Sequence, residues 1–373
     1  MNAGTDAIRP ANRLGLDYAA EARRLGPPVT PIIDVHTHIG GDRAAQIFKT
    51  ACDLYGVQRI YSMTHLEQVP AIQRVLGDRV RFIAVPNYAA TEDRAHHFGR
   101  GFVERIERFH ELGCRIVKFW VAPRSLDVAR ELGDPDMFRL NAPARLDVMA
   151  AAAEKGMMFM THVGDPDTWF ATKYADASLY GTKRSHYEPL EEVLERFRVP
   201  WIAAHMGGWP EDLAFLDGLL SRHANLHLDT SATKWMVREL SRHSRADLLA
   251  FLERWHGRIL FGSDIVTTDD HLDQSSDGNE MTRKAGSERE AFDLYASRYW
   301  ALRTLFETSY EGESPIADPD LAMVDPDRYN DLSAPILSGK SLPPDLLKVL
   351  YHDAAAALLD PLHEDVIAAP ADE

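Results

Sequence analysis

The sequence predicts a (β/α)8 barrel, a TIM barrel, with a long insertion after its eighth strand. Three observations predict it. From Pro31 onward, eight short apolar runs alternate with stretches of helical period. Several of the helical stretches close on a glycine just before the next run, at Gly56, Gly113, Gly156 and Gly257, where a helix end favours a left-handed residue. The apolar runs are near-continuous rather than alternating, as in strands buried on both faces of a parallel sheet.

The elements follow in order. The first run is Ile32-Ile33-Asp34-Val35-His36, and "AAQIFKTACDLYGV" after it has helical period. "RIYSMTH" (59–65) and "RFIAVPN" (81–87) are the second and third runs, the latter followed by the helical "FVERIERFHELG". "RIVKFWV" (115–121) is the fourth, with "ARLDVMAAAAEKG" as its helix. "MMFMTHV" (157–163), "WIAAH" (201–205), "NLHLDTS" (225–231) and "RILFGSD" (258–264) complete the eight. "LEEVLERF" and "DLLAFLERWHG" are among the helices between them, and "PDLLKVLYHDAAAALL" is the last. A doubly wound open sheet is the competing architecture. It usually has fewer units and often a glycine-rich phosphate loop, and neither G-x-G-x-x-G nor G-x-x-x-x-G-K-[ST] occurs.

Helix-to-strand connections are short. Three strand-to-helix connections are long: 122–141, 164–187 and 265–342. Such loops gather on the face of a barrel that carries its site. The expected organisation is an N-terminal extension over 1–30, a barrel over 31–265 plus 343–363, and an insertion over 266–342. That insertion holds a helical stretch, "EREAFDLYASRYWALRTLFETSY", and reads as a helical lid or an oligomer contact.

Composition excludes several functions. The formal net charge is −16, which opposes a nucleic-acid partner or an anionic membrane surface but not an anionic substrate in a cleft. The only two cysteines, Cys52 and Cys114, lie in apolar segments and are expected as buried free thiols. No stretch reaches the roughly 18 apolar residues of a spanning helix, and the N-terminus has no signal-peptide core. The expectation is a cytoplasmic protein that takes a small-molecule substrate, with a homodimer or a higher homo-oligomer as its possible assembly.

The strand ends carry one chemistry. His36 and His38 share a face of the first strand and can reach one ion. Lys118 lies in the fourth strand; His162, His205 and Asp264 end the fifth, sixth and eighth. Each alone could be a packed or capping residue. In a barrel, all of them face one space, and neutral imidazole with carboxylate suits zinc and similar divalent metals.

These motifs resemble the amidohydrolase superfamily. "DVHTHIG" is similar to its first-strand metal motif, and "THVGDP", "AAHMGGWPED" and "LFGSDIV" to the ends of its fifth, sixth and eighth strands. The His-x-Gly-Gly-x-Pro phrase resembles the amidohydrolase-related (amidohydrolase-2) group typified by aminocarboxymuconate semialdehyde decarboxylase. The resemblance covers roughly 31–265 and the last helix. It implies one divalent metal, zinc with manganese as the alternative, held by His36, His38, His162 and Asp264. It further implies His205 and Asp264 as the acid/base groups. Lys118 leaves the metal count open, because other branches carboxylate a fourth-strand lysine to bridge two metals.

Three functions stay in play. The first is hydrolysis, with metal-activated water attacking a small carboxylated, cyclic or aromatic substrate. The second is non-oxidative decarboxylation by a metal-dependent carboxy-lyase, and the third a non-catalytic metal-binding barrel. Cationic and aromatic residues on the loops suit a carboxylated ligand. Arg43, Trp120, Trp169, Lys183, Arg184 and Lys234 are the candidates to bind it, although loop aromatics also pack for structural reasons.

Overall fold

The computed structural model describes residues 9–90, 92–134, 136–273 and 282–364. The first eight residues of the expected extension, and 274–281 of the expected insertion, lie outside these.

The strands are β1 (Ile32–Ile39), β2 (Val57–Ser62), β3 (Val80–Ala84), β4 (Ile116–Trp120), β5 (Met158–His162), β6 (Trp201–Ala203), β7 (Leu226–Asp229), β8 (Ile259–Leu260) and β9 (Ile265–Thr267). They form one parallel sheet in the order β8-β7-β6-β5-β4-β3-β2-β1-β9. Each neighbour in the ring from β1 to β8 is also the neighbour in sequence, which is the topology of a (β/α)8 barrel.

The eighth strand is in two pieces, β8 and β9, separated by Phe261–Asp264. The sequence suggests an unbroken strand over 258–264. The structure breaks it because Asp264 adopts a left-handed backbone, φ 59°. The ring still closes. β8 pairs with β7, and β9 pairs with β1 in register Thr37–Ile265. Between them Val35 N donates to Phe261 O (3.0 Å) and Asp264 N to His36 O (2.8 Å).

Burial explains the apolar runs. Ile116, Val117 and Phe119 in β4 and Met158, Phe159 and Met160 in β5 are fully buried. The barrel is wrapped by the expected helices, among them Asp42–Tyr55, Arg100–Glu111, Pro143–Glu154, Tyr187–Arg196 and Arg245–Arg254. The four glycines at helix ends have positive φ, between 69° and 81°. Gly56 shows the reason: its N–H caps Cys52 O in the left-handed conformation.

Within 265–342, one long helix spans Glu288–Glu307, capped by Ser287. It docks on Asp42–Tyr55 through Phe48 against Tyr295 and Tyr55 against Tyr299, with ring centroids 6.1 and 6.2 Å apart. Tyr299 also donates to the buried Asp34 (2.9 Å). The C-terminal helical stretch begins at Pro344 and runs to Leu359, and its Leu350 O accepts from Phe261 N (3.1 Å). Cys52 and Cys114 are buried and free. Among the described residues no helix is long and apolar enough to cross a membrane.

Candidate metal centre

β1 ends inside the barrel mouth with His36 buried and His38 half-exposed. Their Nε2 atoms lie 3.4 Å and 3.2 Å from a single oxygen, Asp264 Oδ1. Three candidate donor atoms, two from β1 and one from the break in the eighth strand, therefore converge on one point.

What orients His36 is Asp229, at the end of β7. His36 Nδ1 lies 2.8 Å from Asp229 Oδ2. Asp229 Oδ1 accepts from His205 N (2.9 Å), from Ser231 N (3.0 Å) and from Ser231 Oγ. With every one of these partners donating, Asp229 is an ionised acceptor and His36 carries its proton on Nδ1. The Nε2 lone pair is left facing Asp264, the arrangement a metal-binding imidazole needs. A second grouping, His36, His205 and Asp229, is also compact enough to suggest an ion. Its carboxylate oxygens are already taken up by donors, so it serves the first cluster instead.

Charge follows from burial. Burial, and then the nearby Lys118 ammonium, lower the pKa of His36 to about 4, so its ring is neutral. Burial would raise Asp229, but the His36 ring and the hydrogen bonds it receives hold it below the usual carboxylate range. Asp264 would likewise be raised by burial, and the His38 bond holds it low. The neutral His36 ring beside ionised Asp229 and Asp264 fits a divalent cation by charge, and imidazole with carboxylate fits it by donor chemistry.

His205 stands next to this cluster, its ring centroid 4.9 Å from His36 and 4.4 Å from His162. Its Nδ1 lies 2.8 Å from Ser231 Oγ. Ser231 donates its own proton to Asp229, so it accepts from His205 Nδ1–H. That leaves Nε2 of His205 unprotonated. Burial and then the His162 ring hold its pKa well below the ordinary value. The backbone here is unusual. His205, Met206, Gly207 and Gly208 all have positive φ (58°, 49°, 64° and 79°). A left-handed non-glycine residue costs on the order of 1–2 kcal/mol, and such strain gathers at functional sites.

His162 is placed differently from the other expected ligands. Its Nε2 is 3.0 Å from Asp165 Oδ1 and 3.1 Å from Gly164 O, and Tyr174 OH donates to Asp165 Oδ2 (3.0 Å). It shares the cavity but not the tight donor cluster. If Nε2 carries the proton for those acceptors, Nδ1 holds the lone pair. Lys118 is buried, lines the same cavity, and its Nζ has no hydrogen-bond partner among the described residues. Burial lowers its pKa to about 8.

The mouth of the barrel holds two adjoining lobes. The first, about 730 Å³, is lined by Met63, Val85, Tyr88 and Trp120 as well as the cluster. The second, about 530 Å³, includes Trp169 and Lys234. His162, His205 and Asp264 line both. The other candidate substrate residues lie outside the two lobes. Arg43 is exposed in the first turn of its helix, 3.7 Å from Asp273. Lys183 is buried in ion pairs with Asp167 (2.7 Å) and Glu211 (3.2 Å). Arg184 is exposed and covers the Phe215 ring at 5.3 Å. Each of the three satisfies a neighbour far away in sequence or faces solvent, which loop composition does not reveal. Asp229, Ser231 and Asp165 were not anticipated. The signal for Asp229 was available, since it ends an apolar run just as His162 and His205 do.

No protein-family model matches the chain, and no curated protein does. Solved structures give loose likenesses. An amidohydrolase from Burkholderia multivorans is 12% identical with TM-score 0.46, covering 88% of this chain and 98% of that one. A probable 2-pyrone-4,6-dicarboxylic acid hydrolase from Acinetobacter baumannii is 12% identical with TM-score 0.43, covering 72% and 92%. A 2,6-dihydroxybenzoate decarboxylase is 14% identical with TM-score 0.41, covering 71% and 99%.

Proposed function

We propose that the chain is a metal-dependent hydrolase of the amidohydrolase superfamily, acting on a small carboxylated substrate. The observation that carries this is the convergence of His36 Nε2 and His38 Nε2 on Asp264 Oδ1, with His36 Nδ1 fixed by Asp229. His36, His38 and Asp264 would hold one divalent ion, zinc by donor type, and His162 would complete the set through Nδ1. When bound, the ion supplies Lewis acidity, which acidifies water and polarises a carbonyl.

The chain's own groups move the protons. Asp264, held ionised, accepts the proton of the attacking water. His205 takes that proton from Asp264 at Nε2 and passes it to the leaving group. The charge this places on the ring is offset through Ser231 to Asp229. Lys118, an ammonium without a hydrogen-bond partner among the described residues, supports a second reading. It suits a substrate carboxylate near the cluster, and the same residues would then serve non-oxidative decarboxylation.

The test begins with elemental analysis of protein expressed in zinc- or manganese-supplemented medium. One metal per chain is expected. His36→Ala should lose most of it, whereas His205→Asn should keep it and lose about 10²–10⁴-fold in turnover. Wild-type protein free of metal would sink the assignment, and so would His205→Asn losing metal as His36→Ala does. Turnover in ¹⁸O-water separates the reactions: hydrolysis places the label in the product, while decarboxylation releases carbon dioxide and takes a solvent proton onto carbon.

A further inference from the structure

The second lobe is cationic in a way the proposed reaction does not use. Arg124, Lys234 and Arg298 line it together with His162, His205 and Asp264. The acids around it are already engaged. Asp318 and Asp320 pair with Arg238 (2.5 and 3.3 Å). Asp165 holds His162 and Tyr174, and Asp264 faces the β1 histidines. Among the described residues, Arg124, Lys234 and Arg298 form no ion pair. The hydrogen bond Arg298 does make is to Ser297 Oγ, from Nη1 (2.8 Å). Arg298 projects from the helix Glu288–Glu307 that Tyr299 fastens to Asp34, and it is partly buried, whereas Arg124 is exposed. Burial lowers its pKa only to about 10, so it remains charged.

A partly buried guanidinium with no carboxylate in ion-pair distance among the described residues, and with Asp264 acting on it only at longer range, calls for an anion from outside. We infer that this lobe binds a carboxylate of the substrate, with Arg298 as its anchor and Lys234 as its second cation. The first lobe is largely apolar, so the substrate spans the candidate metal centre, with its apolar body on one side and its carboxylate on the other. This rests on reading the His36–His38–Asp264 cluster as the reaction centre.

Two rigid probes test it by calorimetry: benzene-1,4-dicarboxylate and its monoamide, 4-carbamoylbenzoate. Both offer one carboxylate to the cluster, and they differ in the charge at the far end. Wild-type protein should bind the dicarboxylate about tenfold or more tightly than the monoamide, the usual gain from a hydrogen bond to a charged group. Arg298→Met should bring the ratio close to one with metal content unchanged. Should that variant fail to fold, Arg298→Lys, which keeps the charge but not the fork, should lower the ratio severalfold. The inference is overturned by a wild-type ratio near one, by binding of neither probe, or by a ratio that Arg298 substitution leaves intact. Metal content is measured on the same samples. Protein that lacks metal yet shows an Arg298-dependent ratio would refute the metal reading and leave this one standing.

Discussion

At the scale of single residues, the proposed chemistry turns on the groups that touch His36. Asp229 sets its tautomer and, through Ser231, that of His205 as well. Asp229→Asn keeps the shape but can present an amide N–H where His36 needs an acceptor. Metal affinity should fall about 10–100-fold, the usual effect of losing such a partner. Competition with a chromogenic chelator measures this; unchanged affinity would show that Asp229 does not orient the ligand. His36, His38 and Asp264 were legible in the sequence because each closes an apolar run, and a barrel brings such ends together. Their hydrogen-bond partners were not. Lys183 looks like a pocket cation in sequence, yet Asp167 and Glu211, the latter 28 residues away, claim its charge. Pairings across the fold leave no mark on local composition.

At the scale of elements, the turn after β6 matters most. Four consecutive left-handed residues swing His205 back over the barrel mouth. Gly208 is held there by close approach: a Cβ would sit 2.7 Å from Gly164 N and 2.8 Å from its Cα. Gly208→Ala should destabilise the protein by about 1–3 kcal/mol, combining left-handed strain with the clash. Denaturant unfolding of the two proteins is the measurement, and a difference under about 0.5 kcal/mol would mean the loop simply shifts aside. The Gly-Gly pair was visible in the sequence. The reversed handedness of His205 and Met206 was not, since neither residue type favours it. The same limit applies to strand 8: "RILFGSD" reads as continuous, and only the closed ring shows why it must break at Asp264.

At the scale of the whole molecule, the sheet order and the glycine-ended helices were legible because apolar runs and helical stretches alternate along the chain, whatever the length of the loops between them. The placement of Glu288–Glu307 was not, because its apolar face has no counterpart nearby in sequence. We read that helix as part of the site's wall rather than an appendage, since it carries both Tyr299 and Arg298.

The divided eighth strand has a mechanical consequence. A ring whose last stave is broken has a seam, and here two backbone hydrogen bonds, Val35 N to Phe261 O and Asp264 N to His36 O, tie β1 to the segment between β8 and β9. The two sides of that seam carry the candidate ligands, the histidines on β1 and the aspartate opposite. A bound ion would then act as a latch, and opening of the seam would require its release. Amide hydrogen exchange at Val35 and Asp264 should slow about 100-fold when metal is present at a hundred times its dissociation constant, while β4 and β5 stay as they were. Exchange that slows everywhere alike, or nowhere, would mean that the barrel does not breathe along this line.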